Sequence, residues 1–192
     1  YEFASTYSYL AVMRAGPLAE AAGVRLRWRP FLLGAIFSAQ GWTDSPFNLF
    51  PAKGRHMWRD MERLCARRGL AFSKPEPFPQ NTLRAARLAL AVPEARRAEF
   101  SRAVFHAEFA EGRDIAQEAV LRDLLVALAL PADDLPAEAQ SDAVKAYLRK
   151  ETEAAQRAGV FGAPSFVTAD GELFWGDDRF EQALDWARGR AP

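Results

Sequence analysis

The chain has 192 residues, 49% of them apolar, and this size and composition predict one compact globular unit. Its 25 lysines and arginines balance 25 aspartates and glutamates, so no net charge attracts nucleic acid or an anionic membrane. Arg122 and Asp123 interrupt the richest apolar stretch before it reaches the ~18–20 residues of a membrane span. We therefore expect a soluble protein that binds neither nucleic acid nor membrane.

Cysteine and histidine are scarce in this chain. The single cysteine, Cys65, can form neither an internal disulfide nor a CxxC pair, which excludes thiol–disulfide exchange by the protein alone. His56 and His106 belong to no metal-ligand array, so no metal site is predicted. The lone cysteine favours a cytoplasmic location, although a start at Tyr1 without methionine is compatible with further residues upstream, a signal peptide included.

Residues 1–33 show the pattern of a strand, a helix and a second strand. YEF is short and apolar, and the residues after it place Ser5 as a helix N-cap. The Gly16-Pro17 pair predicts a helix in two parts that ends at Gly23. VRLRWRPF alternates apolar residues with arginines, as expected of a strand with one solvated face. This order predicts a parallel pair of strands with a right-handed crossover.

Residues 34–151 have helical spacing throughout and predict an all-helical insertion of about five helices. In the first long helix, Met57, Met61, Leu64 and Cys65 share one face, and Gly69 ends it. The helical segments are GRHMWRDMERLCARRGL, NTLRAARLALAV, RRAEFSRAVFHAEFAEG, EAVLRDLLVALAL and SDAVKAYLRKETEAAQRAGV.

Residues 152–192 end the chain with two short strands and a helix. GAPSFVTADGELFWG reads as a hairpin around a two-residue turn, Asp170-Gly171. DDRFEQALDWARG follows as an amphipathic helix that turns Phe180, Leu184 and Ala187 inward. The whole order predicts an α/β, thioredoxin-like fold (βαβ…ββα). Residues 1–33 and 152–192 form its discontinuous thioredoxin-like domain, and residues 34–151 form the helical insertion domain.

Ser5 stands at the turn between the first strand and the first helix. A helix N-terminus offers free N–H groups and a positive dipole end, which stabilise an anion such as a thiolate. Redox proteins of this fold carry CxxC here, whereas this chain has the sequence STYS. A serine cannot exchange disulfides, but its hydroxyl can donate a hydrogen bond to the thiolate of a bound small molecule, whose reference pKa is ~8.5. Simple N-capping is the alternative role.

Three further segments carry candidate binding groups. Pro164 precedes a predicted strand, where a cis bond after Ala163 leaves main-chain groups free for an extended ligand; an ordinary trans loop proline is the alternative. Asp177 and Asp178 begin the last helix, where they cap it or receive a ligand ammonium group. Lys53 lies on a loop entering the insertion, where it neutralises a ligand carboxylate or is simply solvated.

Together these segments resemble the 2-hydroxychromene-2-carboxylate isomerase family and its relatives, the kappa-class glutathione transferases, both DsbA-like in fold. The resemblance spans essentially the whole chain. It is carried by FASTYSYLA, WRPFLLGAIF, PAKGRHMWRDMERL, GVFGAPSFV and ELFWGDDRF. The first two segments are closer to the isomerases than to the transferases.

The resemblance implies that glutathione is a cofactor that is not consumed. The implied contacts are Ser5 to the sulfur, the main chain of Ala163 before a cis Pro164 to the cysteinyl part, Asp177 and Asp178 to the γ-glutamyl end, and Lys53, assisted by Asn48, to the glycyl carboxylate. The chain departs from the family at Thr6, where proline is usual, and at Asp177, where the transferases prefer serine.

Three functions remain open at the level of sequence. The first is a glutathione-dependent isomerase that converts an aromatic-degradation intermediate of the 2-hydroxychromene-2-carboxylate type to trans-o-hydroxybenzylidenepyruvate. The second is a kappa-like glutathione transferase or peroxidase, and the third is a catalytically silent thioredoxin-like binding protein. The resemblance also implies a homodimer. Four aromatic residues line an acceptor cleft or fill the core: Phe37, Trp42, Phe47 and Phe50.

Overall fold

The structure is a computed structural model that describes residues 1–189. Its helices are α1 (Thr6–Ala21), α2 (Leu33–Ala39), α3 (Pro46–Leu49), α4 (Pro51–Arg68), α5 (Leu83–Ala91), α6 (Glu94–Phe109), α7 (Glu118–Ala127), α8 (Asp134–Glu138), α9 (Asp142–Arg157) and α10 (Phe180–Ala187). Two strands, β1 (Ser165–Val167) and β2 (Leu173–Trp175), form an antiparallel pair, and a 3₁₀ turn (Asp177–Arg179) leads into α10.

Helix α1 is continuous, so the predicted break at Gly16-Pro17 is wrong. A proline inside a helix removes one hydrogen bond, but Ala15 and Ala19 pack on either side of it in a cluster with Phe180 and Leu184 of α10. That packing keeps the two halves in line. The helix ends as predicted, because Gly23 takes the left-handed conformation (φ 67°) that favours glycine.

The two strands predicted within residues 1–33 do not form. A turn closed by the Ser5 N–H and the Glu2 carbonyl, 3.1 Å apart, takes the first segment out of the extended conformation. Two main-chain bonds remain, from the Tyr1 amino nitrogen to the Arg29 carbonyl (2.9 Å) and from the Phe31 N–H to the Tyr1 carbonyl (3.0 Å). They have the pattern of a parallel pair, but the contact is one residue long.

The hairpin of β1 and β2 is confirmed, with Phe166 paired to Phe174. Its connection differs from the prediction. The Gly171 N–H bonds to the Thr168 carbonyl, and Gly171 has a φ of 92°, so the loop has three residues rather than two. In α10 the buried residues are Phe180, Ala183 and Leu184, whereas Ala187 is exposed and was wrongly placed inward.

The five helical segments predicted for residues 34–151 are confirmed as α4, α5, α6, α7 and α9. Helices α2, α3 and α8 were missed, since helices of four to seven residues are too short to show a period. Met57, Met61 and Cys65 are buried on one face of α4, and Gly69 ends that helix with a φ of 65°. Within residues 1–189, no helix is long and apolar enough to cross a membrane.

The largest hydrophobic cluster joins both of the predicted domains. Phe3 and Tyr9, from the start of the chain, pack in it with Met57, Phe100 and Phe105 of the helical segment. The division into one domain of residues 1–33 and 152–192 and a second of residues 34–151 stays a prediction. Residues 190–192 of the first domain lie outside the described part of the chain. This shared core fixes the start of α1 against the helices that build the other side of the cleft described below.

Candidate functional site

A cleft of about 1140 Å³ lies between the start of α1, the first turns of α4 and the segments that flank the hairpin. Of the residues predicted to bind a ligand, five line it: Ser5, Lys53, Ala163, Asp177 and Asp178. Pro164 and Asn48 are not among the lining residues. The fold therefore gathers groups from positions 5 to 178 of the chain around one cavity.

Ser5 forms the N-cap of α1, as its sequence position predicts. Its Oγ accepts a hydrogen bond from the Ser8 N–H (3.2 Å) and donates one to the Ala163 carbonyl (2.8 Å). Thr6 takes the first position of the helix, so the cap forms without the proline that the family usually has there. The positive end of the α1 dipole therefore faces the cleft beside a hydroxyl group.

The Ala163–Pro164 peptide bond is cis, as the resemblance implies. The Ala163 carbonyl faces Ser5, and Pro164 itself is buried behind the lining. The Gly176 N–H bonds to the Pro164 carbonyl at 3.0 Å. This bond ties the Ala163 loop to the segment that carries the two aspartates.

Asp177 is buried and held by two arginines. Its carboxylate accepts hydrogen bonds from Arg14 Nε (3.0 Å) and from both terminal nitrogens of Arg68 (3.0 and 2.5 Å). Arg14 also bonds to the Asp177 carbonyl and to Glu181. A buried carboxylate needs such partners to remain charged. Asp177 thus anchors the 3₁₀ turn to α1 and α4, and Arg68 is left on the cleft wall.

Asp178, by contrast, is exposed. Its carboxylate lies 3.1 Å from the Arg179 guanidinium in an ion pair open to solvent. Lys53 is also exposed and lies in the first turn of α4, not on a loop, because Pro51 at the first helical position begins the helix early. Its ammonium nitrogen lies 4.7 Å from the centre of the Phe50 ring.

Asn48 has a different environment from the one predicted. Its side-chain amide donates to the Asp44 carboxylate (3.1 and 3.2 Å) and to the Phe78 carbonyl (3.3 Å). Both Asp44 and Phe78 line the cleft. Asn48 therefore connects two segments of the cleft wall from outside.

Aromatic side chains make the rest of the cleft apolar. Phe37, Trp42 and Phe47 line it, and Phe47 also packs against the main hydrophobic cluster, whereas Phe50 is exposed and not part of the lining. Phe161 and Trp175, which flank the Gly162-Ala163 and Gly176-Asp177 segments, also line it, with ring centres 4.9 Å apart. The cleft thus combines polar groups with aromatic surfaces suited to a flat apolar molecule.

Known proteins resemble this chain over nearly its whole length. The DSBA-like thioredoxin domain family matches residues 1–186. The 2-hydroxychromene-2-carboxylate isomerase of Sphingobium xenophagum is 30% identical over 182 residues, 94% of this chain and 92% of that protein. The chain belongs to the 2-hydroxychromene-2-carboxylate isomerase family. It is an isomerase with a DsbA-like thioredoxin fold, as the sequence predicts.

Two further relatives of this isomerase agree. The Pseudomonas putida protein of the same name is 29% identical over 196 residues, 99% of this chain and 92% of that one. A solved structure of a 2-hydroxychromene-2-carboxylate isomerase has a TM-score of 0.87 at 26% identity, and the match covers 99% of this chain and 92% of that chain. The family relationship therefore holds for the helices around the cleft as well as for the hairpin.

The isomerase's own thiol is not available in the cleft. Cys65 is buried on the core face of α4, and burial raises the pKa of its thiol to about 11. A thiol with such a pKa is almost wholly protonated at neutral pH and is a poor nucleophile. Any thiolate chemistry in this cleft must use a sulfur from a bound molecule.

Sequence reasoning missed several polar groups of the isomerase's cleft, among them Tyr7, Arg68 and Glu2. Tyr7 donates a hydrogen bond to the Asp60 carboxylate (3.1 Å), and burial together with Asp60 raises the pKa of its phenol. Arg68 reaches the cleft through its bonds to Asp177. Glu2 lines the floor of the cleft and is itself buried. Only Glu2 had a sequence signal, because a carboxyl group inside the apolar segment YEF is unusual.

Proposed function

We propose that the protein isomerises 2-hydroxychromene-2-carboxylate, or a close aromatic-degradation intermediate, to the ring-opened trans product with glutathione as its cofactor. The observation that carries the proposal is the position of Ser5. It places a hydroxyl at a helix N-terminus on the wall of a cleft, at the point where redox relatives carry cysteine. The name shared by the two curated relatives supports the substrate class.

The charged groups of the cleft match those of glutathione, which has one ammonium group, two carboxylates and a thiol. Lys53 is suited to the glycyl carboxylate, and Asp178 to the ammonium group. The carboxylate of Asp177 is already occupied by Arg14 and Arg68, so its part in binding is to hold Arg68 at the wall. Asn48 then acts indirectly, through the segments it ties together.

Ser5 would exchange partners when the tripeptide binds. Its hydroxyl proton now goes to the Ala163 carbonyl. Rotation of the hydroxyl would direct that proton to the ligand sulfur and free the Ala163 carbonyl to accept the cysteinyl N–H. Bound glutathione supplies a thiolate that adds reversibly to a conjugated double bond and so permits rotation about it. Ser5 and the α1 dipole favour the thiolate over the thiol.

The Ser5→Ala variant tests this arrangement. A hydrogen bond to a charged group contributes about 1.5–3 kcal/mol, so the pKa of the bound glutathione thiol should rise by about 1–2 pH units. Turnover of 2-hydroxychromene-2-carboxylate should fall with it. Ultraviolet titration of the bound thiolate and a steady-state assay with and without glutathione measure the two effects.

Ser141→Ala is the matched control for Ser5→Ala. Ser141 caps α9 with the same geometry, its Oγ accepting the Val144 N–H at 3.2 Å. Both variants should lose ~1 kcal/mol of stability with the cap, and only Ser5→Ala should change the thiolate titration. If the two variants titrate alike, Ser5 is a cap and nothing more.

The other functions give different results in the same experiments. Wild-type protein that shows no glutathione-stimulated conversion is not this isomerase. Conjugation of chlorodinitrobenzene would then favour a kappa-like transferase, and no glutathione binding in calorimetry would favour a silent binding protein. We further propose a cytoplasmic homodimer, which sedimentation of the purified protein and fractionation of the producing cell test directly.

A further inference from the structure

Glu2 places a carboxyl group on the floor of the cleft. Its main-chain carbonyl accepts the Ser5 N–H (3.1 Å), so both residues belong to the turn that begins α1. Glu2 as a whole residue is only 7% exposed, yet it is part of the cleft lining. One carboxyl oxygen accepts a hydrogen bond from the Thr82 hydroxyl, which lines the cleft beside it. No arginine or lysine side chain within residues 1–189 forms an ion pair with Glu2.

A second buried carboxyl group lies behind Glu2. Glu108 of α6 is fully buried, and neither of its oxygens has a hydrogen-bond partner within residues 1–189. Burial raises the pKa of both groups, and Glu2 raises that of Glu108 further. The groups that lower the pKa of Glu2 are the Thr82 hydroxyl, the main chain of Ala4 and Phe3, and the Tyr1 amino group. Burial therefore shifts Glu2 towards its neutral acid form, against the effect of these four groups.

Resting on the proposed function, we propose that Glu2 is a catalytic residue that opens the ring of the 2-hydroxychromene substrate as a neutral carboxylic acid. The substrate is a cyclic hemiketal, so its hydroxyl and its ring oxygen are bonded to the same carbon. A carboxylic acid can face both, with an O–H that donates and a carbonyl oxygen that accepts. The groove beside Ser5 would place this carbon against Glu2.

The proton transfers balance within one step. The Glu2 O–H gives its proton to the ring oxygen, and the carbon–oxygen ring bond breaks with its electron pair on that oxygen, which becomes a phenol. The substrate hydroxyl gives its proton to the other Glu2 oxygen, and its carbon becomes a ketone. Glu2 ends as a neutral acid with the proton on its second oxygen. No net charge forms, which suits a buried carboxyl group.

The double bond of the ring-opened form would then lie beside the thiolate that Ser5, three residues along the same turn, would hold. Glu2 and Ser5 would thus divide the reaction between ring opening and rotation. A purely structural Glu2, which only ties the first segment to Thr82, would affect both stages equally. The experiment must therefore compare a substrate that needs ring opening with one that does not.

The Glu2→Gln variant is assayed on 2-hydroxychromene-2-carboxylate and on the methyl ether of the cis ring-opened acid, which cannot close. General acid–base catalysis contributes 10²–10⁴-fold, so the variant should lose about 100-fold in turnover of the closed substrate and keep its turnover of the ether. In the wild-type protein, the ratio of turnover on the closed substrate to turnover on the ether should fall as the pH rises through the pKa of Glu2, because the acid form is required.

A readout without activity accompanies this assay. Carbon NMR of protein labelled at the glutamate carboxyl carbons, compared with Glu2→Gln, should show Glu2 titrating above the ordinary value of about 4.3. A Glu2 that titrates at or below that value, or equal losses on both substrates, overturns the ring-opening role alone. A wild-type protein inactive on the closed and open substrates overturns the proposed function and this step with it.

Discussion

Asp177 holds the 3₁₀ turn against α1 and α4 at the wall of the cleft. Replacing it with asparagine removes the charge that Arg14 and Arg68 share and leaves both guanidinium groups partly unpaired. Breaking a buried ion pair costs about 3–5 kcal/mol, and the partial exposure of both arginines lowers the expected loss for Asp177→Asn to about 2–4 kcal/mol. Urea denaturation of the purified variant measures it.

Asp178→Asn is the neighbouring control. Its side chain is 73% exposed, and its pair with Arg179 lies in solvent, so its stability should change by no more than ~0.5 kcal/mol. Under the proposed function its glutathione affinity should fall, because Asp178 is the acid proposed to bind the ammonium group. Equal stability losses in the two variants would show that the arginines do not depend on Asp177.

The positions of the polar site groups could be predicted only where local rules place them. Ser5 follows from capping preference and Ala163 from the loop before a strand. The environment of Asp177 could not be predicted, because Arg14 and Arg68 lie 163 and 109 residues away in the chain. The hydrogen bond from Asn48 to Asp44 is local, since the two residues are four apart in the chain, but the bond from Asn48 to the Phe78 carbonyl depends on the folded chain.

At the scale of elements, the spacing of apolar residues and the positions of glycine predicted the long helices and the hairpin. Gly23 and Gly69 end their helices where the sequence indicates, and both have a positive φ. The rule that proline breaks a helix failed at Pro17, since packing on α10 outweighed one lost hydrogen bond. The predicted first strand does not form, because the turn closed by the Glu2 carbonyl and the Ser5 N–H competes with the main-chain bonds of a sheet.

Helices α3 and α4 meet at Gly54, and this contact sets one wall of the cleft. A Cβ atom at position 54 would lie 2.3 Å from the Phe47 carbonyl oxygen, a main-chain atom that cannot swing away. Gly54→Ala should therefore push α3 outward and destabilise the protein by about 1–3 kcal/mol, the usual cost of overpacking. Glutathione affinity, measured by calorimetry, should fall with it, because Phe47 and Lys53 line the cleft.

Gly34→Ala provides the matched comparison for Gly54→Ala. Gly34 lies in helix α2, and an added Cβ there would meet no atom within 4 Å. Alanine in a helix is favoured over glycine by roughly 0.5–1 kcal/mol, so this variant should be stabilised. If both variants gain stability, the close approach of α3 to α4 does not exclude a side chain at position 54.

At the scale of the whole molecule, one core contains two buried acids that oppose folding near neutral pH. Glu2 and Glu108 both have pKa values raised by burial. A carboxyl group whose pKa is higher in the folded than in the unfolded chain contributes stability below the unfolded value, and this contribution is lost as the pH rises through the folded value. The direction is opposite to that of a surface carboxylate paired with arginine.

Glu108→Gln isolates the contribution of the deeper acid. Between about pH 4.3 and the folded pKa of Glu108, wild-type stability should fall relative to the variant by up to ~1.4 kcal/mol per pH unit. Urea midpoints measured across this range give the slope. Glu99→Gln on the same helix is the control: because Arg96 lowers the pKa of the exposed Glu99 carboxyl, wild-type stability relative to this variant should rise as the pH rises towards about 4.3 and stay level above it. If the difference in stability between wild type and Glu108→Gln does not change with pH, the Glu108 carboxyl group is solvated or paired. The floor of the cleft would then not be the apolar environment that favours the acid form of Glu2.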